Sequence, residues 1–429
     1  MEKVEIVVVG AGLAGLATAY FLAEEGFEVL VVERGDYPGS KNVSGGRLYL
    51  HPVRPFFPDL WDEAPIERYV VKERLTVMAE EASTTFELTS ERFKKQPYHS
   101  GTLLRSKFDR WFGERVAEKG AFIIPKYKVD DLIFEDGKVV GIKAGEAEIQ
   151  ADVVVAADGV LSFMAEKAGL RGQHQATNFA VGIKEVIELP ARTIEERFNL
   201  REGEGAAQFF FGALTQGMRG GGFLYTNRES LSLGLVVGLH ALMEREPPLE
   251  APELMERFKE RPEIRPLIEG GNLVEYSAHT IPEGGMRTMP RLFDDSILLV
   301  GDAAGLGLNL GLTVRGMDFA LASGALAAQA IKQAKQKGDY STATLSHYEQ
   351  LLKDSFVLKD MQTFRDAAAF LSNPRLYNIY PQVICDLFEK LMRLDDSGKE
   401  KLSSTALAEL KSKMLNLATL KDLLGLRRI

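Results

Sequence analysis

Two stretches of this chain combine glycines, a carboxylate and a preceding apolar run at spacings suited to nucleotide chemistry. The first is Gly10-Ala11-Gly12-Leu13-Ala14-Gly15, directly after residues 4–9, which are apolar except for Glu5. The second is Gly301-Asp302-Ala303-Ala304-Gly305, directly after residues 297–300. In the first, Gly10 suits a tight turn, Gly12 a close approach of backbone to pyrophosphate, and Gly15 tight helix–strand packing. The N–H groups of Leu13 and Ala14 would then open a helix whose dipole favours phosphate. Glu33, with Arg34 beside it, ends the next apolar run, where a carboxylate accepts both ribose hydroxyls and repels a 2′-phosphate.

A domain that binds only NAD has no use for the second stretch. Asp302 there stands at the end of another apolar run and can bind the hydroxyls of a ribityl chain, a role compatible with capping the next segment. A site built from both stretches grips FAD at its pyrophosphate and its ribityl chain, so FAD is the expected cofactor. A flavin supplies its own reactive atoms, and no catalytic nucleophile or general base is expected from the chain.

For these groups to meet, the runs at 4–9, 28–32, 153–157 and 297–300 must join one sheet. Apart from Glu5 and Glu28 all four are uncharged, and they are mostly β-branched or aliphatic, as suits parallel strands buried on both faces. A helix is expected over 13–25, closed by Gly26. A second is expected over 313–332, rich in Ala, Gly and Ser, with its N-terminus toward the flavin pyrimidine. Residues 129–149 read as a β-meander with turns at 135–137 and 144–146. Strand patterns dominate 176–285, and helical patterns run from 345 onward. The piece 244–266, with five prolines, reads as a surface loop with one short helix. The amphipathic stretch 377–394 is expected to pack on the body of the protein.

Two loops are expected around the flavin ring. Residues 41–47 hold Lys41, Ser44 and the paired Gly45 and Gly46, which permit close backbone approach. Residues 305–316 bring Asn309, Thr313, Val314 and Arg315, whose polar groups either reach the flavin or cap local structure. Asp158-Gly159, closing the run at 153–157, resembles the middle motif of aromatic-hydroxylase-like flavoproteins, which lies against the FAD pyrophosphate; a plain turn is the alternative. Arg105, within residues 103–109, resembles that superfamily's arginine beside the FAD phosphates. Otherwise it is a solvated helical charge.

Composition narrows the field. With 429 residues and 45% hydrophobic content, the chain can bury a large core. Its formal charge of −9 argues against a nucleic-acid partner. The single cysteine, Cys385, excludes a disulfide framework and any cysteine-held iron–sulfur cluster within this chain. The six histidines form no HxxxH or HExxH pair, so no metal site is expected. With the first strand expected from Val4, no signal peptide is expected, nor any membrane-spanning segment. The expectation is cytoplasmic residence.

Longer segments resemble the electron-transfer flavoprotein–quinone oxidoreductases, in the FixC-type (EtfC-like) branch. They are residues 41–49 (KNVSGGRLY), 220–225 (GGGFLY), 258–271 ending in Glu269-Gly270-Gly271, 275–285 ending in Pro282-Glu283-Gly284-Gly285, and 301–318. The resemblance implies an α/β fold: an FAD-binding Rossmann-like domain of the aromatic-hydroxylase/glutathione-reductase type, a second β-sheet domain on the substrate side, and a helical C-terminal tail. The expected divisions are 1–67, 100–175 and 286–345 for the first domain, 68–99 and 176–285 for the second, and 346–429 for the tail.

It also implies a flavoenzyme that accepts electrons from an electron-transfer flavoprotein and passes them to a membrane quinone, peripherally associated with the inner face of the membrane. Long members of the family carry a [4Fe–4S] domain, for which this chain lacks the cysteines. The implied partners are therefore the alpha and beta subunits of an electron-transfer flavoprotein and a small ferredoxin-like iron–sulfur subunit, in an assembly capable of electron bifurcation. Gly220 to Gly222 with Phe223 is the candidate quinone-side surface, or else a turn with a core aromatic. Alternatives are a geranylgeranyl-reductase-like enzyme saturating isoprenoid double bonds, an aromatic hydroxylase binding NADPH directly, and a relay subunit with no substrate of its own.

Overall fold

The computed structural model describes residues 2–41, 46–396, 398–414 and 417–427. Its first sheet has eight strands with Glu2–Val9 at the centre, flanked by Val29–Val32 and Ala147–Ala156. Phe122–Ile124 and Ile297–Leu299 extend the two sides, and every one of these neighbours runs parallel. Ile6, Val7, Val8, Val153, Val154 and Val155 are wholly buried. Both faces of these strands are covered, which is why their sequences show no polar alternation.

The chain builds outward on one side of Glu2–Val9 and then returns to the other. Strand order therefore reverses between Glu2–Val9 and Ala147–Ala156, whose carboxyl ends meet as Val9 opposite Ala156. A crevice at such a reversal is where open α/β sheets bind ligands. Ile297–Leu299 joins in register, Val154 with Ile297 and Ala156 with Leu299, so the late glycine stretch opens onto the same crevice as the early one. The expected meander is present as Asp131–Glu135, Lys138–Ala144 and the start of Ala147–Ala156, whose later part becomes the parallel strand.

The second sheet has nine strands. From one edge the order is Asn272–Pro282, Phe179–Glu188, Ser230–Gly238, Gly220–Thr226, Glu204–Gly212 and Arg68–Met78. Ser100–Thr102 and Arg47–Tyr49 complete the far edge, and Ser83–Thr89 pairs with Arg68–Met78. Those two edge strands fall in residues that the sequence assigns to the first domain. Leu48 nonetheless packs into the core of the first sheet, so the strand Arg47–Tyr49 serves both layers.

Two elements differ from expectation. The helix expected over 313–332 is Met317–Lys337. Val314–Arg315 pairs with Leu308–Asn309 in a small hairpin, closed by Leu310 N–H donating to the Thr313 carbonyl (2.9 Å). Backbone groups committed to that hairpin cannot begin a helix. The proline-rich piece holds two helices, Ala251–Glu260 and Arg265–Ile268. The first is not merely a solvated connection: Leu254, Met255 and Phe258 pack against Phe210 and Leu224 of the second sheet. Arg105, read either as an arginine beside the FAD phosphates or as a solvated helical charge, is buried, which disfavours the solvated alternative.

The C-terminal helices begin beside the cavity described next. Arg375–Met392 lies on the second sheet through Tyr377, Pro381, Val383 and Cys385, with the Phe211 and Tyr377 rings 5.0 Å apart. Leu402–Met414 and Leu417–Leu426 follow. Among the described residues no helix is long and apolar enough to cross a membrane.

Candidate functional site

A cavity of about 430 Å³ lies between the two sheets at the carboxyl ends of the parallel strands. Its wall takes Gly10, Gly12, Leu13 and Ala14 from the first turn and helix, with Glu33, Arg34 and Lys41 from the segment after Val29–Val32. The turn requires glycine at position 10: φ is +105°, and a Cβ there would sit 2.4 Å from the Ala157 carbonyl oxygen. Gly15 lies behind the turn, facing Val8 and Ala157 rather than the cavity. Helix Leu13–Glu24 has Gly12 as its N-cap and no side chain capping it, so its first N–H groups stay available. Glu33 is held rigidly, accepting from Ala11 N–H (2.8 Å) and Gly35 N–H (2.6 Å).

Arg105 opens the helix Arg105–Glu118 and lines the cavity. Its Nε donates to Asp109 Oδ1 at 2.7 Å, within a two-pronged ion pair. Burial works against the Arg105 charge, but Asp109 and Asp302 outweigh it and raise the pKa. Asp302 sits in the turn Gly301–Ala304 and also lines the cavity. Its carboxylate accepts no hydrogen bond among the described residues. Burial raises its pKa, opposed by Arg105 and His279. An uncapped helix N-terminus, a buried guanidinium and a carboxylate lacking donors fit a group bearing both phosphates and hydroxyls.

Asp158 and Gly159 line the same cavity. The Asp158 carboxylate is already engaged, accepting from Ser162 Oγ (2.8 Å) and Met164 N–H (3.0 Å) at the start of the helix Phe163–Lys167. Asn309, Val314 and Arg315 reach the cavity, as does Gly301. Arg315 is committed to protein partners: Nε donates to Asp318 (2.7 Å), a second ion pair joins Asp360, and the guanidinium lies 4.5 Å from the Phe319 ring centroid. Thr313 and Gly46 are not part of the wall; a Cβ on Gly46 would meet the Tyr225 ring at 2.6 Å. Ser44 and Gly45 lie outside the described residues.

Several groups escaped sequence reasoning. Lys184 is buried in Phe179–Glu188, lines the cavity and pairs with Glu275 at 3.1 Å. Arg47 is buried too, donating to Glu73 Oε2 (2.8 Å) and Ser100 Oγ (3.2 Å). Buried charges in strands leave no local pattern to find. Glu283 had a signal in the Pro282-Glu283-Gly284-Gly285 segment. Its carboxylate accepts from Asn309 Nδ2 (3.0 Å) and pairs with Arg219 (2.9 Å), joining the flavin-side loop to the second sheet. Gly220, Gly221, Gly222 and Phe223 line the cavity with Phe209 and Phe211, as do Leu371 and Tyr377 of the C-terminal helices. Among the described residues no group of three or more His, Cys, Asp or Glu is placed to hold a metal.

Residues 5–88 match the family model described as FAD dependent oxidoreductase. Residues 179–281 match ETF-QO, ubiquinone-binding, and 367–429 match ETF-QO/FixC family C-terminal domain. The chain is 45% identical to Protein FixC of Escherichia coli (strain K12) over 396 residues, 92% of each chain. It is 39% identical to Protein FixC of Azotobacter vinelandii over 428 residues, covering 99% of this chain and 97% of that one. Another relative is the probable electron transfer flavoprotein-quinone oxidoreductase YdiS of Escherichia coli (strain K12), 43% identical over 394 residues, 92% of this chain and 91% of that one. Among solved structures, a geranylgeranyl bacteriochlorophyll reductase-like protein from Thermoplasma acidophilum shares the fold, with TM-score 0.74 at 22% identity over 99% of this chain and 100% of that one.

Fold and site thus define an FAD-dependent oxidoreductase of the Rossmann-like class. Within that class, the chain belongs to the ETF-QO/FixC family.

Proposed function

We propose that this chain accepts electrons from an electron-transfer flavoprotein and passes them to a membrane quinone, working with the two subunits of that flavoprotein and a small ferredoxin-like iron–sulfur subunit. One observation carries the reading. A single cavity takes its wall both from the FAD motifs and from the segment similar to a ubiquinone-binding domain, including Gly182, Phe209, Gly220, Phe223 and His279. A redox cofactor and an apolar acceptor held in one enclosure need no further carrier between them.

Bound there, FAD would supply the electron-transfer chemistry. The helix at Leu13 and Ala14, with Arg105, would hold the pyrophosphate, while Glu33 and Asp302 would accept from its ribose and ribityl hydroxyls. The second sheet and the Tyr377 segment would line the far side of the ring. Bifurcation, in this reading, belongs to a flavin of the partner. Contact with the inner face of the membrane is supported by the helix Leu417–Leu426, where Leu417, Leu420, Leu423 and Leu424 are each at least half exposed beside Lys421.

The test is quinone reduction by the purified chain with reduced electron-transfer flavoprotein, with and without the ferredoxin-like subunit. Turnover that requires the flavoprotein is expected, and its absence under both conditions overturns the reading. Flotation with anionic vesicles checks the membrane contact. Capture at native expression, followed by flavin and iron analysis, checks the partners.

A further inference from the structure

Among the described residues, four carboxylates line the cavity: Glu33, Asp158, Glu283 and Asp302. Glu33 and Asp158 are held by backbone and hydroxyl donors, and Asp302 belongs to the flavin-binding turn. Glu283 is left over, buried, and paired with a guanidinium that also faces the cavity. That guanidinium, on Arg219, immediately precedes Gly220. One terminal nitrogen donates to the Glu283 carbonyl oxygen (3.1 Å) as well as pairing with its carboxylate, and the other reaches Ser372 Oγ (3.4 Å). Its Nε–H has no hydrogen-bond partner among the described residues. The cavity wall nearby is largely apolar, from Phe209, Phe211, Phe223, Leu371 and Tyr377. A mostly apolar pocket with one placed donor orients a flat, apolar ligand by a single oxygen.

We propose that Arg219, positioned by Glu283, is the hydrogen-bond donor that orients a carbonyl oxygen of the electron acceptor in this cavity. The inference rests on the quinone reading given above. Reduction of a quinone to a quinol takes two electrons, supplied in that reading through the bound FAD, and two protons, taken from water; both carbonyls become hydroxyls. Arg219 keeps its own proton throughout, because a guanidinium does not deprotonate in proteins, and it offsets negative charge as that charge grows on the oxygen. Glu283 has a positioning role. It holds Arg219 on one side and Asn309 on the other, which sets the distance from the acceptor's polar end to the flavin-side loop. The ion pair also compensates a guanidinium that is largely withdrawn from water, with its side chain 15% exposed.

Equilibrium dialysis of the oxidised, FAD-loaded protein against a short-chain ubiquinone tests this without turnover. Arg219→Gln should weaken binding roughly tenfold, the loss of a charge-assisted hydrogen bond. Arg219→Lys should fail to restore it, because an ammonium lacks the planar Nε donor. In steady state, Glu283→Gln should raise KM for the quinone more than it lowers kcat, and Glu283→Asp should recover part of the loss. A merely structural Glu283 would instead lower FAD content in step with activity. Unchanged quinone binding by Arg219→Gln with full FAD content overturns the inference while leaving the quinone reading intact. Absence of quinone binding by the unaltered protein overturns both. If Arg219→Gln is recovered without FAD, Arg219→Lys decides: binding equal to that of the unaltered protein counts against the proposal.

Discussion

Asp302 and Asp158 are both cavity carboxylates whose pKa is raised by burial, yet their partners differ. Asp158 already accepts two hydrogen bonds from its own helix start, whereas the Asp302 carboxylate has no donor until a ligand brings one. Asp302→Ala is therefore expected to lose FAD on gel filtration much more readily than Asp158→Ala. The latter should lose about 1 kcal/mol in urea unfolding, because Ser162 Oγ and Met164 N–H lose their acceptor. Equal flavin retention in the two variants would refute the ribityl role. The Asp302 shift also makes a statement about stability. A folded-state pKa above the unfolded one gives stability that is full below the unfolded value and lost as pH rises through the folded one. At neutral pH the FAD-free protein thus carries a cost at Asp302. Asp302→Asn should raise its melting temperature while weakening FAD retention. His279 shows the opposite pattern. Burial lowers its pKa from 6.5, with Asp302 opposing and Arg34 and Arg105 reinforcing. Its contribution is present above the unfolded value and is lost as pH falls through the depressed one. His279→Gln should flatten the decline in FAD-free melting temperature below about pH 6.5.

At the scale of elements, the small residues of Met317–Lys337 serve a contact with Leu13–Glu24. Gly324 makes it possible: a Cβ there would lie 2.3 Å from the Ala14 carbonyl oxygen and 2.8 Å from the Ala17 Cβ. Because Ala14 is also part of the cavity wall, this packing sets the position of the phosphate-facing turn. Gly324→Ala should destabilise the fold by about 1–3 kcal/mol through overpacking, read from urea unfolding, and should reduce FAD content. A variant with unchanged stability would show that the helices have room to separate. The hairpin of Leu308–Asn309 with Val314–Arg315 has its own consequence. It holds Arg315 against Asp318 and Asp360, tying the loop before the long helix to the helix Phe356–Thr363.

For the whole molecule, the cavity is closed by parts that are distant in the chain. The first sheet supplies the nucleotide motifs, the second an aromatic and glycine-rich wall, and the C-terminal helices close the remaining side through Leu371 and Tyr377. In the reading proposed above, the flavin takes its electrons from a protein partner rather than from a nicotinamide in solution. Reduction by NADH or NADPH alone should be slow or absent, and fast when reduced electron-transfer flavoprotein is added, followed as loss of oxidised-flavin absorbance. Rapid direct oxidation of NADPH, stimulated by an aromatic compound, would point to a hydroxylase instead.

Much of the nucleotide-binding half was legible from residues alone. Buried parallel strands need unbroken apolar runs, and phosphate approach needs glycine and a helix start at fixed spacing, so these constraints are local and leave a pattern. Asp302 was legible for the same reason, since the run at 297–300 marks a strand and the residue after it its carboxyl end. The helix start at Met317 was not, because it depends on which backbone groups the hairpin of Leu308–Asn309 takes first. Nor was the burial of Arg47 and Lys184, since a charged side chain carries no sign of whether its partner lies in water or across a sheet. The linkage of Glu283 to both Arg219 and Asn309 joins segments remote in sequence. Only tertiary packing decided it, by bringing two sheets and a C-terminal helix onto one enclosure, where a lone charge would be too costly to leave unpaired.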